Sequence, residues 1–402
     1  MKKPLEGCLV IDLTTFVAAP AAGRLLADLG ARVIKIEPIK GDAWRGTGIG
    51  MGPKRFTQEE NPIFDLYNNG KDLISLNLKS QEGLDIMLQL LSKADVFITN
   101  NRPASLTKMG LDYETLHKKF PRLIYGIVRG FGATGPDAQS KAFDTTAFWA
   151  RSGFLRDQAI VFDDGTYEPV NAPSSVGDSY TGSILAMQVL AAMMQREKTG
   201  EGQLVSATLY HVGLFAMATM IVKQQEEFSK PMPNTRSKVR YDSGPMECAD
   251  GGWIYLSVPP FTIMELAGRK DLIEQASAMT LGSPERNAFV LDCLRLCFKT
   301  KTTQQWLEVL KPYDSATTYM PHYSEVSKDP QAWANDFIQN VEYPTGYTHR
   351  VPTSPIEMEK LEARPLNTTK AVGEDTAKVL SELGYTDQQI AEMTASGAVI
   401  CK

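Results

Sequence analysis

Cys8-Leu-Val-Ile-Asp-Leu13, Thr14-Thr-Phe-Val-Ala-Ala-Pro20, Ala21-Ala-Gly-Arg-Leu-Leu-Ala-Asp-Leu-Gly30 and Ala31-Arg-Val-Ile-Lys-Ile-Glu37 follow one another without a break near the start of the chain. The first run has the length and apolar content of a buried strand. Ala21 to Leu29 reads as a helix closed by Gly30, and Arg32 to Ile36 as a second strand ending at Glu37. Strand, helix and strand in this order form a βαβ unit, so the chain is predicted to be α/β, with a parallel sheet flanked by helices. A dinucleotide-binding unit carries G-x-G-x-x-G in its first turn, which lets the pyrophosphate approach bare backbone. Here the turn runs from Thr14 to Pro20 and holds no glycine. The large domain is therefore expected to be Rossmann-like without that cofactor fingerprint.

Further strands follow the opening unit. Asn68-Asn-Gly-Lys71 precedes Ser75-Leu-Asn-Leu-Lys79, and by spacing alone the pair reads as a hairpin turn and a strand, with Lys71 in solvent. Ala94 to Ile98 leads to Thr99-Asn-Asn-Arg-Pro103, and Leu123 to Val128 leads to Arg129-Gly-Phe-Gly132. Open α/β sheets bind ligands beyond the C-terminal ends of their strands. Asn100, Asn101 and Arg102 are thus candidate ligand contacts, and Arg129 and Gly130 arrive at the same sheet edge.

With 402 residues the chain is too long for one ordinary core and is expected to form two domains. Residues 1–225 read as the first part of the large domain and residues 226–325 as a smaller α+β domain with its linkers. Glu226 to Gly251, rich in Pro, Lys, Arg and Ser, reads as the linker itself. Composition is that of an ordinary globular chain, with 43% hydrophobic and 22% charged residues and a net charge of −5. No Lys/Arg-rich block is present, which argues against nucleic acid as a partner. No stretch approaches the ~20 apolar residues that span a bilayer, so no membrane association and a cytoplasmic location are expected. The five cysteines form no disulfide framework. Cys293 and Cys297 are read as core thiols. Four scattered histidines, with no H-E-x-x-H, no C-x-x-C and no G-x-S-x-G, point away from a catalytic metal and from an α/β-hydrolase elbow.

One stretch singles out a reactive group. Pro173-Ser-Ser-Val-Gly-Asp178-Ser-Tyr-Thr-Gly182 precedes Ile184, Leu185, Met187, Val189, Leu190, Met193 and Met194, which recur at helical spacing. Asp178 is thereby placed at a helix N-terminus, where free N–H groups and the helix dipole favour an ionised carboxylate. By residue type alone it reads as an N-cap. Gly177 gives the backbone freedom before it, and Gly182 leaves the first turn bare.

Taken in order and spacing, these stretches resemble the class III (formyl-CoA-transferase-like) CoA-transferases. The likeness rests on Gly-Asp178 before a helix, Arg196-Glu-Lys-Thr-Gly200-Glu-Gly-Gln203, Leu25-Leu-Ala-Asp-Leu-Gly30, Val33-Ile-Lys-Ile-Glu-Pro38, Asn68 to Lys71, and Thr99 to Pro103 with Lys108-Met-Gly-Leu. It extends from Leu5 to the end of the chain. Ala142-Phe-Asp144-Thr-Thr-Ala-Phe-Trp149 is similar to the 2-hydroxyacyl-CoA transferases, the phenyllactate and 2-hydroxyisocaproate enzymes.

The resemblance implies an enzyme that moves CoA from an acyl-CoA to a small carboxylic acid, with Asp178 as covalent nucleophile and no permanently bound cofactor or metal. It implies Val17 and Ala18 against CoA, Asn100, Asn101, Arg102, Arg129 and Gly130 along its channel, and Lys71 and Lys108 toward its anionic end. Relatives carry Arg after the strand-ending Glu. Pro38 stands there in this chain, so Lys40 or Arg45 is implied instead. Phe143, Phe148 and Trp149 are implied in an apolar substrate pocket that excludes water, although by composition alone they read as helix core. Residues 326–402 resemble the family's return to the large domain, and family members are interlaced homodimers. An acyl-CoA racemase of the same superfamily is the alternative. It needs a His where this chain has Phe143, so its second proton carrier is missing. A CoA-binding protein without catalysis is the third reading.

Overall fold

Apolar residues at consecutive rather than alternate positions suit strands covered on both faces, and the central sheet is built from such strands. The computed structural model describes residues 3–47, 56–57, 60–162, 164–223, 244–313, 315–362 and 365–402. Its strands β1 (Leu9–Leu13), β2 (Arg32–Glu37), β3 (Asp72–Leu76), β4 (Val96–Thr99), β5 (Ile124–Arg129) and β6 (Leu204–Thr208) run parallel in the order β3-β2-β1-β4-β5-β6. A short last strand, β7 (Val399–Ile400), adds antiparallel beside β3. The α/β architecture with a mostly parallel sheet is the one expected from the opening βαβ unit.

Alternate residues of each strand enter different cores. Val10, Val33, Val96, Ile98 and Ile124 meet Leu26 and Ala27 of α1 (Ala18–Asp28) and Val189 and Ala192 of α2 (Val176–Thr199). Ile11, Ile34, Ile74, Phe97 and Tyr125 join a second core with the helices Gln81–Leu91, Thr376–Glu382 and Asp387–Ala395. Each such side chain contributes roughly 1.5–3 kcal/mol by leaving water. The two covering helices α1 and α2 approach closely at Gly182. A Cβ there would collide with the Ala18 carbonyl oxygen and the Ala21 side chain.

Three local readings are corrected. Helix α1 begins at Ala18, not Ala21, because Pro20 falls in its first turn, where its missing N–H costs no hydrogen bond. Asn68 to Lys71 is not a hairpin. It joins the helix Pro62–Asn68, capped by Asn61, to the parallel strand β3, with Gly70 at φ 77° making the turn. In the stretch read as a linker, residues 226–243 lie outside the described residues, and Gly244–Glu247 is a strand.

The chain divides into two compact units, one of residues 1–155, 171–222 and 333–402, the other of residues 156–170 and 223–332. The second holds a three-stranded antiparallel sheet with Trp253–Leu256 between Gly244–Glu247 and Thr318–Tyr319. Its core gathers Ile254, Leu256, Phe298 and Trp306 with the thiols Cys248, Cys293 and Cys297. Cys293 and Cys297 are thus core residues, and burial raises the Cys297 thiol to about 11. Thr302 and Gln305 form a reciprocal cap at the start of the helix Thr303–Leu310.

Candidate active site

The C-terminal ends of β1, β4 and β5 open onto a cleft of about 330 Å³. The turn after β1 supplies Thr15, Phe16 and Ala18, the turn after β4 supplies Asn100, Asn101 and Arg102, and the end of β5 supplies Arg129 and Gly130. Asp178 from α2 and Phe143 also line it. The fold therefore gathers seven residues marked in the sequence, Ala18, Asn100, Asn101, Arg102, Arg129, Gly130 and Phe143, around the carboxylate of Asp178. A second cavity of about 1040 Å³ shares Thr15, Phe16 and Asn101 with the first and carries Lys40, Lys79 and Lys108 on its lining. The three lysines are exposed. Such a rim favours an anion.

Asp178 is the third residue of α2 and not its cap. The cap position belongs to Ser175, at φ 67° and without a side-chain capping bond. The end of the helix is served instead by Asp144, whose buried carboxyl lies against the backbone N–H groups of Ser175, Gly177 and Asp178. One of its oxygens, Oδ2, has no partner of good hydrogen-bond geometry. Burial raises the Asp144 carboxyl above its usual range. Burial, with a further push from the Asp144 charge, raises the Asp178 carboxyl to about 7. The sequence reading expected the helix end to hold Asp178 ionised. Loss of water and a neighbouring carboxylate outweigh that effect here.

The approach to Asp178 is shaped by the segment after Asp144. A π-helical turn, Thr145–Ala150, turns Phe148 and Trp149 into a core with Val212. Neither lines the cleft, so the pocket role implied for them passes to a supporting one. A Cβ on Gly177 would come within 2.5 Å of the Phe148 ring, and Phe148 thus packs directly under the start of α2. Phe143, 54% exposed, is the one of the three that faces the cleft.

Two basic residues are corrected. Lys71 is not solvated and does not face a ligand. Its Nζ is wholly buried and donates to Asp12 Oδ2 at 2.8 Å, to the Pro20 carbonyl at 2.9 Å and to Asn68 Oδ1 at 3.1 Å. Burial lowers its ammonium to about 8. Arg45 is likewise committed, making two bonds of 2.8 Å to the Glu37 carboxylate, which leaves Lys40 as the cation near Pro38. Val17 is 1% exposed and turned into the core, so its turn meets the cleft through Thr15, Phe16 and Ala18. Asn100 also does more than line the cleft. Its amide accepts from Thr15 N at 3.0 Å and donates to Thr15 O at 2.7 Å, fixing the turn after β1. Sequence reasoning assigned no site role to Phe16, Lys79, Lys141 and Asp144. Lys141 and Asp144 flank the Ala-Phe143 pair that it did mark, and that proximity was the available signal.

The model of CoA-transferase family III matches residues 5–376. The chain belongs to that family. It is a CoA-transferase, with an acyl-CoA and a carboxylate as substrates. It is 34% identical to a cinnamoyl-CoA:phenyllactate CoA-transferase of Clostridium sporogenes, over 96% of this chain and 95% of that one. It is also 34% identical to an (R)-2-hydroxy-4-methylpentanoate CoA-transferase of Clostridioides difficile, over 96% and 97%. A CAIB/BAIF family protein from Brucella suis has a similar structure, with a TM-score of 0.81 and 25% identity over 95% of this chain and 100% of that one. For a family III CoA-transferase with these relatives the racemase reading is not favoured. Among the described residues no helix is long and apolar enough to cross a membrane.

Proposed function

We propose that this CoA-transferase passes CoA from an acyl-CoA to a 2-hydroxy acid with an apolar side chain, through a thioester on Asp178. The observation that carries the reading is the Asp178 carboxyl, raised to about 7 in a cleft it shares with Ala18, Asn100, Asn101, Arg102, Arg129 and Gly130. A poorly hydrated carboxylate is a better nucleophile than one in water. The relatives named for phenyllactate and (R)-2-hydroxy-4-methylpentanoate support the class of acid.

In this reading an ionised Asp178 oxygen attacks the thioester carbonyl, the C–S bond breaks, and CoA leaves as thiolate. The acyl-aspartyl anhydride is then opened by the thiolate at the Asp178 carbonyl, which releases the donor carboxylate and leaves an aspartyl-CoA thioester. The acceptor carboxylate attacks that thioester, and the thiolate again leaves. It then attacks the acceptor's carbonyl in the new anhydride, giving the new acyl-CoA and regenerating the Asp178 carboxylate. No proton is gained or lost, and no nucleotide is hydrolysed. Lys40 and Lys108 hold the phosphates of CoA in the wider cavity. The chain works in the cytoplasm as an interlaced homodimer. The exposed apolar side chains of Met187, Met194, Phe215 and Val222 support burial against a second copy.

Acyl-CoA followed by borohydride should modify Asp178 and leave Asp144 unchanged, as read by peptide mass spectrometry. Modification of Asp144 in its place sinks the assignment. With one acyl-CoA in deuterated water and no acceptor acid, no α-deuterium should appear, since Phe143 carries no titratable nitrogen. Light scattering should give twice the chain mass, and a monomer at micromolar concentration rules out the dimer.

A further inference from the structure

The Thr15–Phe16 turn is held in one shape by more bonds than a connecting loop needs. Phe16 has φ 63°, a left-handed conformation that is an outlier for a bulky residue. Such strain persists only where the surroundings over-determine it, and here they do. Asn100 brackets both backbone groups of Thr15. Asp42 Oδ1 accepts from Thr15 Oγ1 at 2.5 Å and from Phe16 N at 3.3 Å. Asp42 Oδ2 is in turn paired at 2.8 Å with Lys35 Nζ, both side chains being wholly buried. A glycine would satisfy the same backbone without strain, so the ring itself is what the turn is built to present.

That ring stands edge-on to Phe143, with centroids 5.5 Å apart, and to Trp44 at 6.2 Å. Phe16 and Phe143 both line the cleft of Asp178, where Ile127, Val128 and Leu209 extend the apolar surface. We propose that Phe16 is a specificity-determining residue. Backed by Phe143, its ring forms the wall against which the acyl side chain of the thioester packs. The site therefore favours a flat or branched acyl group of about phenyl size over a two-carbon acyl group. Aromatic rings meet one another edge-on or offset at such distances, which suits an aryl side chain. The inference rests on the reading that Asp178 is where the thioester reacts.

The test measures binding separately from chemistry. Dissociation constants of 3-phenylpropanoyl-CoA and acetyl-CoA are compared by calorimetry for the wild-type protein, Phe16→Gly and Phe143→Ala. Phe16→Gly keeps the turn because glycine adopts φ 63° freely, and Phe143→Ala alters an exposed ring. The wild type should prefer the aryl thioester about tenfold or more. Phe16→Gly should bring the two constants within about threefold, and Phe143→Ala should fall between. A wild type without the preference, or variants that keep its full preference, overturn the assignment. Transfer of CoA to a 2-hydroxy acid, assayed in parallel, tests the Asp178 reading alone. Failure of transfer with the binding preference intact counts against that reading and leaves Phe16 a wall of the thioester-binding cleft alone, whereas intact transfer without the preference overturns the Phe16 assignment.

Discussion

A single carboxyl shows the conflict between stability and chemistry most clearly. The Asp178 carboxyl titrates at about 7 in the folded chain and near 3.8 when solvated, so the folded state prefers it protonated. Stability from this group is full below the solvated value and is lost as pH rises through about 7. Attack on a thioester needs the opposite, an ionised oxygen. The kcat/KM for acyl-CoA should therefore rise about tenfold per pH unit below 7 and level above it, as read from a pH–rate profile. Asp178→Asn should abolish transfer yet melt higher than wild type at pH 8, by on the order of 2 kcal/mol, with the gain vanishing near pH 4. A variant less stable at pH 8 contradicts the raised carboxyl. Lys71 makes the complementary case. Its ammonium and the Asp12 carboxylate are both without solvent, so Lys71→Met strands a buried charge and should cost roughly 3–5 kcal/mol in a urea titration.

At the scale of helices and strands, the residues that sequence reasoning placed well are those whose partners lie nearby in the chain. The opening βαβ unit was legible because continuous apolar runs in β1 and β2 and the glycine after α1 are local signals. The capping boxes of Thr302 with Gln305 and Thr386 with Gln389 are equally local, each closed within four residues of chain. Contacts made across long stretches of chain were not. Asp144 faces the helix-end N–H groups that local chemistry would give to Asp178, and Asp12 removes Lys71 from solvent. Gly182 looked like a bare first turn and is instead the point where α2 meets α1. Adding one methyl there forces it against backbone, which side-chain rotation cannot relieve. Gly182→Ala should lower stability by about 1–3 kcal/mol, seen as a lower urea midpoint with an unchanged slope. An unchanged midpoint would mean that α1 and α2 are free to separate, and with them Ala18 and Asp178.

For the molecule as a whole, the charge balance is unfavourable to its substrate. The chain carries −5 overall, and coenzyme A is a polyanion, so long-range attraction does not come from net charge. It has to come from local placement, and the wider cavity carries the cations proposed for it. Lys40 follows β2, Lys79 follows β3, and Lys108 lies in the helix after β4. Three separate elements thus bring three exposed cations to one rim, while Lys71 and Arg45 are spent on internal partners. Exposed charges are screened over about 10 Å at 0.1 M salt, which gives the arrangement a measurable signature. Replacing Lys40, Lys79 or Lys108 by Gln should weaken CoA binding several-fold at low salt, leave circular dichroism unchanged, and flatten the dependence of affinity on salt. The loss should shrink as ionic strength rises, because screening already removes what the lysine contributed. Lys93, exposed and absent from the lining of either cavity, serves as control. Equal affinity and equal salt dependence for all three variants would return the lysines to ordinary surface and send the anionic end of CoA to Arg102, Arg129 and Lys141 on the narrower cleft.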